Sequence, residues 1–308
     1  MLAVFTQTLP FFAVIGLGYW AGRSGFFSRE ATAYLTKFVF YFALSAMLFG
    51  FSANMSLSDI FEPRAAVAYL WGCAFVYLIA LSVAFARRRP LPEAAMEAHT
   101  SIIGNAGFLG VPMLALLMGE AAIGTILLVL VIDLIVFSSL LTVILTLSSR
   151  GRVSFDLPRV IVVGLAKNPM IVAMGAGLAW SSTGLDLAQP VNAFLTLLGA
   201  AATPGALFAI GASLANNTAE RVNVAGWLSL AKLFLHPLAV GFAAFYLFSV
   251  PPYAAGVLVA AAALPVAGNV YILAQHFNVA VARVSAAILI STAISVASLP
   301  LIIALMQE

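Results

Sequence analysis

Residues 104–112 read Gly-Asn-Ala-Gly-Phe-Leu-Gly-Val-Pro and lie inside an otherwise apolar run of the chain. Three glycines, an asparagine and a proline make a poor helix interior, because Gly costs about 1 kcal/mol and Pro about 3 kcal/mol there relative to Ala. A second apolar run contains Leu-Pro-Val-Ala-Gly-Asn at residues 264–269. We therefore predict two helices that are each interrupted near the middle.

The composition of the whole chain indicates that these helices lie in a membrane. Of 308 residues, 63% are hydrophobic and 8% are charged, and the mean hydropathy is +1.10. A soluble domain carries about 25% charged residues, and one bilayer crossing takes about 20 apolar residues. We predict an all-α polytopic membrane protein with ten transmembrane helices and no soluble domain. The predicted spans lie near residues 3–22, 32–51, 65–86, 96–118, 121–147, 160–181, 190–214, 224–248, 253–276 and 284–305.

The basic residues predict the orientation of these spans. Alternate connections between spans hold eleven Lys or Arg residues, whereas the opposite side holds Arg64 alone. Cytoplasmic connections are the ones rich in Lys and Arg, so we predict that both termini lie outside. The eleven residues are Arg23, Arg29, Arg87, Arg88, Arg89, Arg150, Arg152, Arg159, Lys167, Arg221 and Arg283.

An internal repeat divides the chain into residues 1–155 and 156–308. Four small or helix-breaking residues recur at a constant offset of 159: Pro10, Gly16, Gly18 and Gly25 correspond to Pro169, Gly175, Gly177 and Gly184. Because each half has five spans, an odd number, the second half must be inverted relative to the first. Inverted repeats are a common build of secondary transporters, and interrupted helices at corresponding positions of the halves indicate the substrate site.

The two interruptions fall in spans 4 and 9, the fourth span of each half. A broken helix exposes backbone polar groups at membrane depth, which is tolerated around a polar cavity or within packed protein. The N-terminus of the following half-helix favours an anionic ligand, and asparagine amides add donors and acceptors. The predicted substrate-binding residues are Asn105, Gly107, Pro112, Pro265 and Asn269.

Three ionisable residues lie deep in predicted spans, where each costs at least about 2.5–3.5 kcal/mol unless it is paired or hydrated. Asp133 lies in span 5, and Lys232 and His236 lie one turn apart on span 8, hence on one face. We predict that Asp133 carries a coupling proton or helps to hold a cation, and that Lys232 or His236 balances the charge of an anionic substrate. Two structural alternatives stay open: a permanent Asp133–Lys232 ion pair, or a Lys232 side chain that snorkels to an interface.

Other ionisable residues are expected at the membrane surface. Glu97 and His99, at the start of span 4, are predicted to be solvated caps, and Lys37 is predicted to snorkel to the cytoplasmic surface. Cys73 is the only cysteine, so we expect neither a disulfide nor a thiolate metal cluster. The sequence shows no P-loop, dinucleotide or metal motif. We predict no enzyme, no metal, no nucleic-acid partner and no cofactor other than a coupling ion, H⁺ or Na⁺.

The motif at residues 104–112, the Leu-Pro-x-x-x-Asn signature at 264–269 and ten spans in about 300 residues resemble the auxin efflux carrier family, whose bacterial members include malonate-transporter-like proteins. The resemblance covers essentially the whole chain. It implies interrupted helices 4 and 9 that cross at the substrate site, a scaffold of spans 1, 2, 6 and 7, and a mobile transport unit of spans 3–5 and 8–10. It also implies a homodimer. We expect the protein in the bacterial inner membrane, with the termini, which the basic residues place outside, in the periplasm.

These observations together predict a secondary active transporter of a small organic anion. The expected substrate is a mono- or dicarboxylate, auxin- or malonate-like, and the resemblance implies an elevator-type alternating-access mechanism. The expected partners are this anion, the lipid bilayer and a second copy of the chain. Three alternatives stay open: a channel, a membrane-embedded sensor on the same scaffold, or a carrier of neutral or zwitterionic solutes.

Overall fold

The computed structural model describes residues 2–55, 62–150, 157–215 and 222–307. Within these ranges the chain is helical between short turns and forms no strand. The predicted boundary between residues 155 and 156 lies outside the described residues, as do Arg152 and Arg221.

The described ranges contain thirteen helices, which we number in chain order. They are α1 Leu2–Arg23, α2 Arg29–Ala53, α3 Pro63–Ala86, α4 Leu91–Thr100, α5 Ala106–Met118, α6 Ala122–Ser148, α7 Leu157–Lys167, α8 Pro169–Ser181, α9 Gln189–Leu214, α10 Val222–Leu247, α11 Pro252–Ala262, α12 Gly268–Phe277 and α13 Val281–Gln307.

Many of these helices are membrane helices by length and composition. Six of them, α2, α3, α6, α9, α10 and α13, are long and apolar enough to cross a bilayer, and α5, α8 and α11 are shorter apolar helices. The predicted all-helical polytopic membrane architecture is therefore confirmed. Each predicted apolar run coincides with one of the thirteen helices or with a consecutive pair of them.

Two of the helix starts change where charged residues lie relative to the prediction. Helix α4 begins at Leu91 instead of residue 96, because Pro92 suits the first turn of a helix and Glu93 interacts favourably with its dipole. Helix α13 begins at Val281, so Arg283 lies inside a helix and is only 5% exposed. The assignment of Arg283 to a connecting loop was therefore wrong.

Glycines allow two pairs of helices to touch through their backbones. A Cβ atom added to Gly18 of α1 would lie 2.1 Å from the carbonyl oxygen of Phe208 in α9, and one added to Gly211 would lie 1.9 Å from that of Ile15. A Cβ atom added to Gly177 of α8 would lie 2.7 Å from the carbonyl oxygen of Phe49 in α2. Small residues at such contacts permit the close packing that associates helices in membranes.

The two interrupted helices meet at their breaks. Helix α4 ends at Thr100 and α5 begins at Ala106, while α11 ends at Ala262 and α12 begins at Gly268. Gly104 and Val266 form an isolated antiparallel bridge between the two breaks. The extended segments therefore lie side by side in the interior, as the predicted meeting of two interrupted helices requires.

The contact between α1 and α9 predicts a large difference between two similar glycine substitutions. Gly18→Val should lower the melting temperature of the detergent-purified protein, because the side chain collides with the α9 backbone and such overpacking costs about 1–3 kcal/mol. Gly16→Val is the matched control, since a Cβ atom at Gly16 meets no atom within 4 Å. Equal melting temperatures for the two variants would contradict this packing.

Candidate functional site

The backbone of each break is stabilised mainly by the other. The amide of Asn105 donates a hydrogen bond to the carbonyl oxygen of Pro265 at 2.9 Å, and the amide of Ala267 donates to that of Ile103 at 3.1 Å. The amide of Val266 donates to the hydroxyl of Ser291 in α13 at 3.1 Å. Backbone groups that a continuous helix would have satisfied are thus paired in the interior, where an unpaired group is costly.

A cavity of about 590 Å³ lies against this crossing. Asn105 and Asn269 both line it, and the Oδ1 atom of each has no hydrogen-bond partner within the described structure. Asn269 lies in the first turn of the ten-residue helix α12, whose N-terminus carries a partial positive charge. Residues of α2, α6, α7, α9 and α13 line the rest of the cavity. The arrangement offers amide groups and a helix N-terminus to a solute.

A second cavity, of about 50 Å³, also lies at the crossing. Asn105 and Asn269 line it together with Gly107 and Asp133. A Cβ atom at Gly107 would lie 2.7 Å from the Cε atom of Met170, so the absence of a side chain keeps this space open. The sequence-predicted Asn105, Gly107 and Asn269 thus come together in one place.

The two predicted prolines hold other positions. Pro265 contributes its carbonyl oxygen to the bridge between the breaks. Pro112 lies in the first turn of the regular part of α5 and lines neither cavity. Both prolines therefore act on the backbone of the interruptions.

Asp133 lies on α6, with its carboxylate buried beside the crossing. The hydroxyl of Tyr69 in α3 donates a hydrogen bond to Oδ1 of Asp133 at 3.0 Å, whereas Oδ2 has no partner in the described part of the chain. Asp133 is 3% exposed and lines the smaller cavity. Tyr69 therefore holds one of the two carboxylate oxygens in place.

Lys232 lies on α10, beside the breaks of both interrupted helices. Its amine donates a hydrogen bond to the carbonyl oxygen of Ala262, the last residue of α11. A Cβ atom at Gly104 would lie 3.2 Å from its Nζ atom. Lys232 is 0% exposed and forms no ion pair with Asp133 within 4.0 Å. Neither structural alternative, a direct ion pair or a snorkelling side chain, is present.

His236 follows Lys232 by one turn and is fully buried as well. Its Nε2 atom lies 3.1 Å from Sγ of Cys73 in α3, and its Nδ1 atom has no partner among the described residues. Tyr69 and Cys73 are one turn apart on α3, so one face of that helix contacts both Asp133 and His236. Sequence reasoning missed this face, because Tyr and Cys in an apolar run give no signal of a polar contact.

Segments of π-helix hold several of these residues. Besides one at Ala243–Leu247 near the end of α10, they occur at Val39–Ala43 in α2, Ala106–Gly110 in α5, Ile132–Phe137 in α6 and Ala231–Leu235 in α10. The last two carry Asp133 and Lys232. Insertions of this kind are frequent at functional sites.

A buried charge cluster holds the start of α4. Glu97 accepts hydrogen bonds from Arg87, which caps the end of α3, and from Arg283 of α13; Arg283 also binds Glu93. Glu97 and His99 are both 0% exposed. The prediction that they are solvated caps was wrong, because α3 and α13 pack over this half-helix and bring two arginines with them.

The site and the fold together define a polytopic membrane protein with an interior cavity at two interrupted helices. The family model described as "Membrane transport protein" matches residues 3–303. The chain belongs to this family, the auxin efflux carrier family, as its sequence motifs indicated. It is therefore a transporter and not an enzyme.

Individual relatives are similar over nearly the whole chain. A protein of Rhizobium meliloti named "Putative malonate transporter" is 29% identical over 296 residues, which cover 94% of this chain and 92% of the relative. A protein of Escherichia coli K12 named "Uncharacterized transporter YfdV" is 27% identical over 305 residues, which cover 95% and 94% of the two chains.

The buried charge cluster predicts a strong effect at Arg283. Arg283→Met leaves Glu97 with one cationic partner in place of two and should lower the melting temperature markedly, since breaking a buried ion pair costs about 3–5 kcal/mol. Arg88→Met is the matched control, because Arg88 is exposed and has no carboxylate within 4.0 Å among the described residues. If both variants melted at the wild-type temperature, the cluster would have no role in stability.

Proposed function

We propose that this protein is a secondary active transporter of a small organic anion, a mono- or dicarboxylate of auxin-like or malonate-like chemistry. The observation that carries the proposal is the pair of interrupted helices whose Asn105 and Asn269 line one cavity and have amide oxygens without a partner in the described structure. Rotation of an amide group exchanges its oxygen and nitrogen, so each asparagine can donate to a carboxylate. The name of the Rhizobium meliloti relative supports the same class of substrate.

The transport mechanism is an elevator-type alternating access. The scaffold consists of α1, α2, α7, α8 and α9, and the mobile transport unit consists of α3–α6 and α10–α13. The lining of the larger cavity supports this division only in that both units contribute to it, α2, α7 and α9 from the scaffold and α5, α6, α12 and α13 from the transport unit. A solute held there would touch both units.

The chain has ten membrane spans arranged as two inverted five-helix repeats, with residues 1–155 and 156–308 as the halves. Three pairs of consecutive helices, α4 with α5, α7 with α8 and α11 with α12, each make one span. The helix packing supports the repeat. Exchanging the two halves replaces α1 by α8 and α9 by α2, so the α1–α9 contact corresponds to the α8–α2 contact. Both contacts use glycine.

Coupling and charge balance involve the buried groups beside the crossing. Asp133 carries H⁺ or helps to hold Na⁺; its Oδ2 atom is buried without a partner in the described structure and the residue lines the smaller cavity, which supports this role. Lys232 and His236 balance the charge of the site. The helices that carry these three residues, α6 and α10, both belong to the transport unit.

The protein functions in the bacterial inner membrane as a homodimer with periplasmic termini. The excess of Lys and Arg in alternate connections supports the orientation. The dimer rests on the resemblance to the auxin efflux carrier family.

The role of the two asparagines predicts a selective loss of affinity. In proteoliposomes, Asn105→Ala and Asn269→Ala should each raise the KM for uptake of a radiolabelled carboxylate about tenfold or more, because a hydrogen bond to a charged group is worth about 1.5–3 kcal/mol. The substrate is chosen as the best of a panel of mono- and dicarboxylates taken up by the wild type. Asn192→Ala, at an exposed position on α9, is the matched control. Wild-type kinetics in both cavity variants would refute the assignment.

The proposed role of Asp133 predicts that its substitution changes how uptake depends on an ion gradient. Asp133→Asn keeps the side-chain size but removes the charge, so uptake should lose its dependence on an imposed pH or Na⁺ gradient. Tyr69→Phe, which removes only the hydrogen bond to Oδ1, should keep that dependence. Gradient dependence that is the same in Asp133→Asn and the wild type would make Asp133 a structural residue.

A further inference from the structure

A third asparagine belongs to the walls of both cavities. Asn168 stands between α7 and α8, and like Asn105 and Asn269 it lines the larger and the smaller cavity. Asn105 and Asn269 lie at the two breaks, in the proposed transport unit, whereas Asn168 lies in the proposed scaffold. The three asparagines therefore bring amide groups from both units to the same space.

The first turn of α8 fixes the orientation of the Asn168 amide. Oδ1 of Asn168 accepts a hydrogen bond from the backbone amide of Met170 at 3.0 Å, so Asn168 is the N-cap of α8. A flipped amide would set its NH₂ group against the N–H of Met170, donor against donor. The NH₂ group forms no hydrogen bond within the described part of the chain. Asn168 thus has its acceptor occupied and its donor left over.

The surroundings of this donor favour an anion. Helix α8 is thirteen residues long, and its N-terminus carries a partial positive charge. None of the residues lining the larger cavity is Asp or Glu. Asn105, which lines the same two cavities, is 5% exposed, and its amide oxygen has no partner among the described residues. A buried polar group without a partner beside a cavity calls for one supplied from the cavity.

Several hydroxyl groups of the wall are less suited to bind an anion. The hydroxyls of Thr36, Ser138 and Thr142 donate to backbone carbonyl oxygens of their own helices. A hydroxyl has a single proton to donate, so these three groups have none left for a solute. The NH₂ group of Asn168 has no such competing acceptor among the described residues.

We propose that Asn168 is a third substrate-binding residue, whose Nδ2 atom donates a hydrogen bond to the carboxylate of the solute from the scaffold side. This inference rests on the proposed function and adds a contact to it. In the proposed mechanism Asn105 and Asn269 move with the solute and Asn168 does not. The contact with Asn168 therefore breaks when the transport unit moves, so it strengthens binding without speeding the displacement.

The test separates substrate binding from helix capping. Asn168→Ser and Asn168→Asp both keep a side-chain oxygen suited to an N-cap, but both lose the NH₂ donor, and Asp adds a negative charge. Uptake of radiolabelled malonate and indole-3-acetate, a dicarboxylate and a monocarboxylate, is measured in proteoliposomes. Asn168→Ser should raise the KM of the transported acid about tenfold, as expected for loss of a hydrogen bond to a charged group, and Asn168→Asp should raise it further. The maximal rate and the melting temperature should not fall.

Ser28→Ala is the matched capping control. Ser28 caps α2 by accepting a hydrogen bond from the amide of Ala31, is exposed and lines neither cavity. Its substitution should lower the melting temperature by a few degrees and leave KM unchanged.

The outcomes distinguish the inference from the proposed function. A wild-type KM in both Asn168→Ser and Asn168→Asp would make Asn168 a helix cap alone and overturn the inference. If Asn105→Ala raised KM in the same assay, the proposed function would nevertheless stand. Uptake of neither acid by folded, monodisperse wild type would overturn both the inference and the carboxylate assignment.

Discussion

The structure depends on the requirement that backbone polar groups inside a bilayer must be paired within the protein. If each interrupted helix met this requirement by itself, its exposed backbone groups would have to pair with water or with side chains. Here the bridge between Gly104 and Val266 lets each break supply hydrogen-bond partners for the other. The two interruptions are therefore mutually dependent, and an asparagine beside each of them remains free to face the cavity.

The same crossing explains why charged residues are tolerated in the interior. The amine of Lys232 binds the carbonyl oxygen of Ala262, a group that the end of α11 leaves without a helical partner. The carboxylate of Asp133 accepts a hydrogen bond from the hydroxyl of Tyr69. The buried charges thus complete the hydrogen bonding of the broken helices and of their neighbours, and a change in their protonation would act directly on the crossing.

Local sequence chemistry predicted the interruptions but not all of their surroundings. Gly, Pro and Asn disfavour helix at any position, so residues 104–112 and 264–269 identify the breaks without knowledge of the fold. The burial of Glu97 depends on Arg283, 186 residues away in sequence, and a single sequence carries no sign of that contact. Tyr69 and Cys73 were missed for the same reason, since their polar partners lie on other helices.

One aromatic contact connects the two units that the proposed mechanism moves apart. Phe40 of α2 and Phe108 of α5 stack with ring centroids 6.4 Å apart and an interplanar angle of 13°, and both line the larger and the smaller cavity. A displacement of the transport unit along the scaffold must separate these rings. Because both rings belong to the walls of the two cavities, their separation would change the shape of both cavities at once. Under the proposed mechanism, solute binding in the larger cavity and ion binding at Asp133 in the smaller one would then be coupled through the relative position of two helices.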